Sequence, residues 1–363
     1  MLTTKRAPES AMSAFGVNGA AYEEAAFDAF SEKVAVDPQD LTGAAGAARA
    51  LALEALRRDP TTAKALAILA LAKPDLSARH GAALAASRLN RRNLTLQGLA
   101  LEARLANEET TQVIETLDQI LRVHPTYSRE FYPVLGQALT DPATVPAFIR
   151  FLDGSSPWHE AFFTKYALAR PELRANLATI RMERPVGDEE FDSRLVSGLA
   201  KDGNLSAAQR LFEFLSQDDD AQGEASGQIA WSSDFPPFDW DFTDEGDFRG
   251  QASRDGSELE LFVRPGQGGV IAERIMAMPD TPFDLSFVHS DASSAQSEDV
   301  RIELTCTGET LPFFAQRLSV GENSLAVGSA PDCDQMRLVI NARVFSGQTT
   351  LRSRISQIEI RQR

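Results

Sequence analysis

The side chains best suited to chemistry are scattered, and their spacing decides little. The four histidines, His80, His124, His159 and His289, fall in no HExxH pattern, and the chain has no CxxC pair. His159 follows Trp158 at an expected helix start, where a surface role is the plain reading. There is no GxSxG elbow, no P-loop and no glycine-rich dinucleotide turn. Ser253 and Asp255 lie close together, but nothing brings a histidine near them. With 52 acidic residues, carboxylate pairs of the kind that hydrolyse glycosides are inevitable, and none stands out. No catalytic residue is assigned, and a non-catalytic chain is the favoured reading.

Two binding chemistries have candidates. Asp241, Asp244, Glu245 and Asp247 offer hard oxygen ligands of the type calcium takes, in an EF-hand-free spacing. Calcium is thus the one cofactor considered, with Asp241, Asp244 and Asp247 as its ligands; the alternative is an acidic, solvated surface. A run at Asp218, Asp219 and Asp220 is expected to be a solvated helix end. Aromatic rings can stack on sugars. Phe238, Trp240 and Phe242 alternate as one face of a strand, which is either sandwich core or sugar platform. Trp231 is either a platform or a packing residue at a domain junction.

Only two cysteines occur, Cys306 and Cys333. They are either buried thiols or one disulfide, which would point to an oxidising compartment. Cys306 shares strand parity with Ile302 and Leu304 and should face inward; Cys333 sits in a loop before the next strand.

The elements that must position these residues change character along the chain. Ala48, Ala52 and Ala55 precede Pro60; Val113, Leu117 and Ile120 precede Pro125; Val145, Ile149 and Leu152 precede Pro157. Steps of four and three place small or apolar residues on one helical stripe. The proline five residues on ends one helix and starts another. Ala82, Ala86 and Leu89 form a weaker copy with Leu94 in place of proline. The stretch Leu195, Leu199, Gly203, Ala208, Phe212 and Leu215 reads as two short helices about a glycine turn, and Leu135-Gly136 fits a first-helix signature. These spacings resemble the tetratricopeptide repeat, although its hallmark aromatics are mostly missing and Pro171 and Pro185 interrupt the order. The resemblance implies an α-solenoid with a concave groove that takes a protein partner.

From about residue 229 the period falls to two. Leu259, Leu261 and Val263 alternate with Glu258, Glu260 and Phe262; Ile302 and Leu304 with Glu303 and Thr305; Met336, Leu338 and Ile340 with Arg337 and Val339. Val270–Ile275, Phe283–His289 and Arg352–Ile360 are further strands, separated by Gly and Pro turns. Eight or nine such strands without helical crossovers predict an antiparallel β-sandwich, with a jelly roll the natural candidate. The aromatic opening Phe235–Trp240, the Gly268-Gly269 turn and the final strand to Ile360 resemble carbohydrate-binding-like sandwich modules. A tetratricopeptide array joined to such a module is similar to proteins of bacterial exopolysaccharide production. That resemblance implies a scaffold binding a protein and polysaccharide.

Composition agrees with two domains. The formal charge is −16, which argues against nucleic acid and anionic lipid as partners. Lys201 is the last lysine, and from Gln228 onward 12 Arg face 21 Asp and Glu. The longest apolar run, Ala65–Ala72, is far short of the roughly 20 residues a membrane span needs. Residues 1–20 lack the apolar core of a signal peptide and are expected to be a disordered tail. The expected organisation is therefore 1–20 tail, 21–217 helical repeats, 218–228 linker and 229–363 β-sandwich. The expected function is a non-catalytic adaptor. The alternatives are a carbohydrate-active hydrolase or lyase with a carboxylate site, or a structural oligomerisation module. With a leader removed the setting would be the periplasm or cell envelope, and otherwise the cytoplasm.

Overall fold

The computed structural model describes residues 7–14, 17–216, 227–297, 299–328 and 331–363. Helices come first and strands follow. The α-helices that precede the strands are α1 (Pro8–Ala14), α2 (Gly19–Val36), α3 (Leu41–Arg58), α4 (Ala63–Leu71), α5 (Leu76–Leu89), α6 (Leu94–Ala106), α7 (Thr110–Val123), α8 (Ser128–Leu139), α9 (Val145–Phe151), α10 (Pro157–Ala161), α11 (Pro171–Glu183), α12 (Glu189–Lys201) and α13 (Leu205–Ser216). Part of the stretch expected to be a tail is thus helical. Among the described residues no helix is long and apolar enough to cross a membrane.

Short polar side chains start many of these helices. Asp40, Asp75, Asn93 and Asp188 each accept a hydrogen bond from the backbone N–H three residues on, satisfying a donor the helix itself cannot. Pro125, Pro157 and Pro171 each open a helical turn, where a missing N–H costs nothing. Pro60 instead lies in the turn between α3 and α4. The repeated stripes face inward: Ala48, Ala52 and Ala55 are fully buried, as are Val113, Leu117 and Ile120. In the weaker copy Ala86 is buried but Leu89 is 67% exposed. From α2 to α8 each helix packs on its successor, and α2 also touches α4, α4 touches α6 and α7 touches α9. Alanine-rich stripes let α3 and α4 approach closely around Ile68. Gly203, with φ at +80°, makes the turn between α12 and α13.

The strands are β1 (Asp241–Phe242), β2 (Phe248–Ala252), β3 (Glu258–Val263), β4 (Gly268–Ala277), β5 (Phe283–Ser290), β6 (Val300–Cys306), β7 (Phe314–Arg317), β8 (Gly321–Val327), β9 (Gln335–Arg343) and β10 (Leu351–Gln362). They form two antiparallel five-stranded sheets, ordered β1-β4-β9-β6-β7 and β2-β3-β10-β5-β8. The pairing is nested: β3 pairs β10, β4 pairs β9, β5 pairs β8 and β6 pairs β7. Alternate residues of both sheets meet in one core that includes Leu259, Leu261, Val263, Phe283, Ile302, Leu304, Leu338 and Ile340.

One expected strand is corrected. Phe238, Trp240 and Phe242 do not share a strand face, because residues 235–238 form a turn closed by the Phe238 N–H on the Phe235 carbonyl. Prolines 236 and 237 have no N–H to give a ladder, so pairing starts only at Asp241.

By packing, the chain divides into two compact units, Met1–Ala167 with Glu183–Val186, and Leu168–Met182 with Gly187–Arg363. The second unit holds α12, α13 and both sheets. Within it, the Phe212 ring of α13 stacks on Phe238 at 5.3 Å and meets Phe235 edge-on at 6.1 Å.

Candidate functional site

The outer face of the second sheet carries the candidate site. A hairpin fixes it first. The Asp255 carboxylate accepts hydrogen bonds from the Ser253 and Ser257 hydroxyls, both at 2.7 Å, and from the Ser257 N–H at 3.2 Å. Those donors hold its carboxyl pKa down to about 2. With Gly256 at φ +71°, this turn sets β2 against β3 in one register. Arg249 then lies opposite Phe262, and Gln251 opposite Glu260. From the other side β10 brings Arg352 opposite Phe262 and Arg354 opposite Glu260. Because Leu259, Leu261 and Val263 point into the core, Glu260 and Phe262 must point out.

The result is two rows across three strands, lining a shallow pocket of about 160 Å³. In the first, guanidiniums of Arg249 and Arg352 lie 5.2 and 4.8 Å from the centre of the Phe262 ring. In the second, Glu260 accepts from the Gln251 amide at 2.9 Å, and Arg354 lies 3.3 Å from Asp291 and 3.6 Å from Glu258. Gly250, between Arg249 and Gln251, faces the opposite way. A Cβ there would stand 2.6 Å from the Ile271 carbonyl oxygen, so only glycine lets β2 lie this close to β4.

The expected site residues fall elsewhere. Trp231 and Trp240 are corrected as sugar platforms. They are 3% and 0% exposed, stack on each other at 4.6 Å, and the Trp240 indole donates to the Ala230 carbonyl. Two large rings beside an open core edge gain more by burial than by exposure. The calcium set is not assembled: Asp247 pairs with Arg264 at 2.9 Å, Asp244 caps the Gly246 N–H, and Asp241 pairs in register with Glu273. Among the described residues no group of three or more His, Cys, Asp or Glu is placed to hold a metal ion. Asp218, Asp219 and Asp220 lie outside the described residues. Cys306 and Cys333 are joined in a disulfide, their Cα atoms 6.1 Å apart. Closing a 27-residue separation stabilises the fold by about 3–4 kcal/mol on the chain-entropy account.

His159 is not on the surface. Its Nε2 lies 2.9 Å from Asp118 on α7, and its Nδ1 accepts from the Gly154 N–H at 3.2 Å. With Nδ1 accepting, Nε2–H is the donor to Asp118. Asp118 also holds Arg122 through both oxygens, so the group ties α7 to the loop before α10. His289 is fully buried, and among the described residues neither ring nitrogen finds a hydrogen-bond partner. Burial lowers its pKa.

A larger cavity, about 700 Å³, lies beside α13 with Phe212, Phe235, Met276 and Met278 in its wall.

No family model matches this chain. No curated protein matches it either.

Proposed function

We propose that this chain is a non-catalytic adaptor whose helices hold a protein partner and whose sandwich holds polysaccharide, in the setting of the bacterial envelope or exopolysaccharide production. On this reading the helices are an α-solenoid of the tetratricopeptide kind. Contacts between each helix and its successor, and between α2 and α4, α4 and α6, and α7 and α9, support it. The strands are a jelly roll, for which the nested pairing of β3 through β10 is the support: it is a long hairpin rolled so that its arms fall into two sheets. The glycan lies on the face of β2, β3 and β10, along the row of Arg249, Phe262 and Arg352.

The observation that carries this reading is the Arg249–Phe262–Arg352 row. It is a half-buried ring flanked by two guanidiniums on a face with neighbouring polar groups, the combination a hydroxyl-rich ring needs below and beside it. The setting and the protein partner rest on the sequence resemblance. Affinity electrophoresis of the full chain through gels containing bacterial polysaccharides tests the reading. The intact protein should be retarded by at least one polymer, and Phe262→Ala should run freely while keeping its folded circular dichroism. Equal retardation of the two proteins would remove the face from the account.

A further inference from the structure

The same face also specifies the charge of its ligand. Resting on the polysaccharide reading above, we infer that the bound glycan is acidic, and that Arg249 and Arg352 together recognise oxyanions carried on sugar rings.

Charged groups on this face are almost all engaged with one another. Glu260 takes the Gln251 amide, Asp291 and Glu258 lie against Arg354, and Asp247 takes Arg264. Arg249 and Arg352 are left over. Both are exposed, both lie against the Phe262 ring, and among the described residues neither guanidinium makes a hydrogen bond or ion pair. Leaving two guanidiniums without counter-ions is notable in a chain of formal charge −16, where carboxylates are abundant.

Geometry adds to charge. Arg249 and Arg352 stand on the two strands that flank β3, so their backbones are about 10 Å apart across the sheet. An extended chain of sugars crossing β2, β3 and β10 would run along the Arg249–Phe262–Arg352 row and present an oxyanion to each guanidinium. The planar fork of arginine matches carboxylate and sulfate alike, through two parallel N–H donors. Uronate carboxylates and sulfate esters therefore share this recognition. A nucleic acid is disfavoured because it would draw many phosphates toward a molecule with a large net negative charge.

The test uses the full chain and titration calorimetry against five probes. These are polygalacturonate, the same polymer after carboxyl reduction, a neutral dextran, dextran sulfate and polyadenylate. The expected result is binding to polygalacturonate or dextran sulfate, weakened by added salt and at least about tenfold tighter than to the reduced polymer. Which of the two binds distinguishes carboxylate from sulfate. Arg249→Gln and Arg352→Gln should each weaken binding by about tenfold, with the thermal transition unchanged because both side chains are exposed. Equal binding to the reduced or neutral polymer would overturn the acidic assignment while leaving the polysaccharide reading in place. Binding that survives the double substitution would overturn the role of this arginine pair. Polyadenylate bound as tightly as any polysaccharide would overturn the assignment to sugar. Binding to none of the five would overturn the inference, whereas binding in the gel assay to some other polysaccharide would still uphold the broader reading.

Discussion

At the residue scale, the chemistry of this chain is decided by who is already paired. Buried Asp118 and His159 pair with each other, and the exposed Arg122 holds Asp118 from outside, which makes the group a brace. Its residues carry no motif, because His159 finds Asp118 across 41 positions, and sequence spacing cannot report such a pairing. His289 is the opposite case. Strand alternation places it inward in β5, and it sits in the core with no hydrogen-bond partner among the described residues. Its folded pKa lies below the usual 6.5, so the unfolded chain binds the proton more readily. Stability from a neutral His289 is therefore complete above pH 6.5 and is lost as the pH falls through the lower, folded value. The wild-type sandwich should melt at a lower temperature at pH 5 than at pH 7.5, followed by fluorescence of Trp231 and Trp240. The slope cannot exceed about 1.4 kcal/mol per pH unit for one proton. His289→Leu should flatten that dependence. A slope unchanged by the substitution would assign it to other groups.

At the scale of elements, the two periods in the sequence marked the helices and most strands, because burial on one face imposes them directly. The inward residues of β3, β6 and β9 were legible in this way, and so was the glycine turn at Gly203. Phe262 could be read as an outward ring. Its neighbours could not. Strand β2 is short, opens with Phe248 and has Gly250 as its inward residue, so it shows no apolar alternation. Arg352 comes beside Phe262 only through the pairing of β3 with β10, two segments far apart in sequence. The aromatic cluster at 235–242 misled for a different reason: prolines break the ladder, and the largest rings went to the core. Gly250 is the element-level test of the site. Gly250→Val would drive side-chain atoms into the Ile271 backbone, costing about 1–3 kcal/mol and lifting β2 from β4. Lower thermal stability together with weakened polysaccharide retardation is the expected pair of outcomes. Full retention of both would mean that the close approach of β2 does not position Arg249.

At the scale of the whole molecule, a boundary of composition and a boundary of packing coexist. Lysine stops at Lys201 and the period changes near residue 229, yet α12 and α13 pack in the same unit as the sheets, with Phe212 on Phe238. A sequence reports where residue preferences change, whereas packing of a helix against a distant turn depends on contacts it does not encode locally. If glycan binds one face of that second unit, hydrogen–deuterium exchange of the full chain with and without a retarding polysaccharide will locate it. Exchange should slow in peptides covering Phe248–Ala252, Glu258–Val263 and Leu351–Ser356, with no change in peptides covering α2 to α9. Protection confined to the helices, or to the turn at 235–238 beside Phe212, would contradict binding on this face.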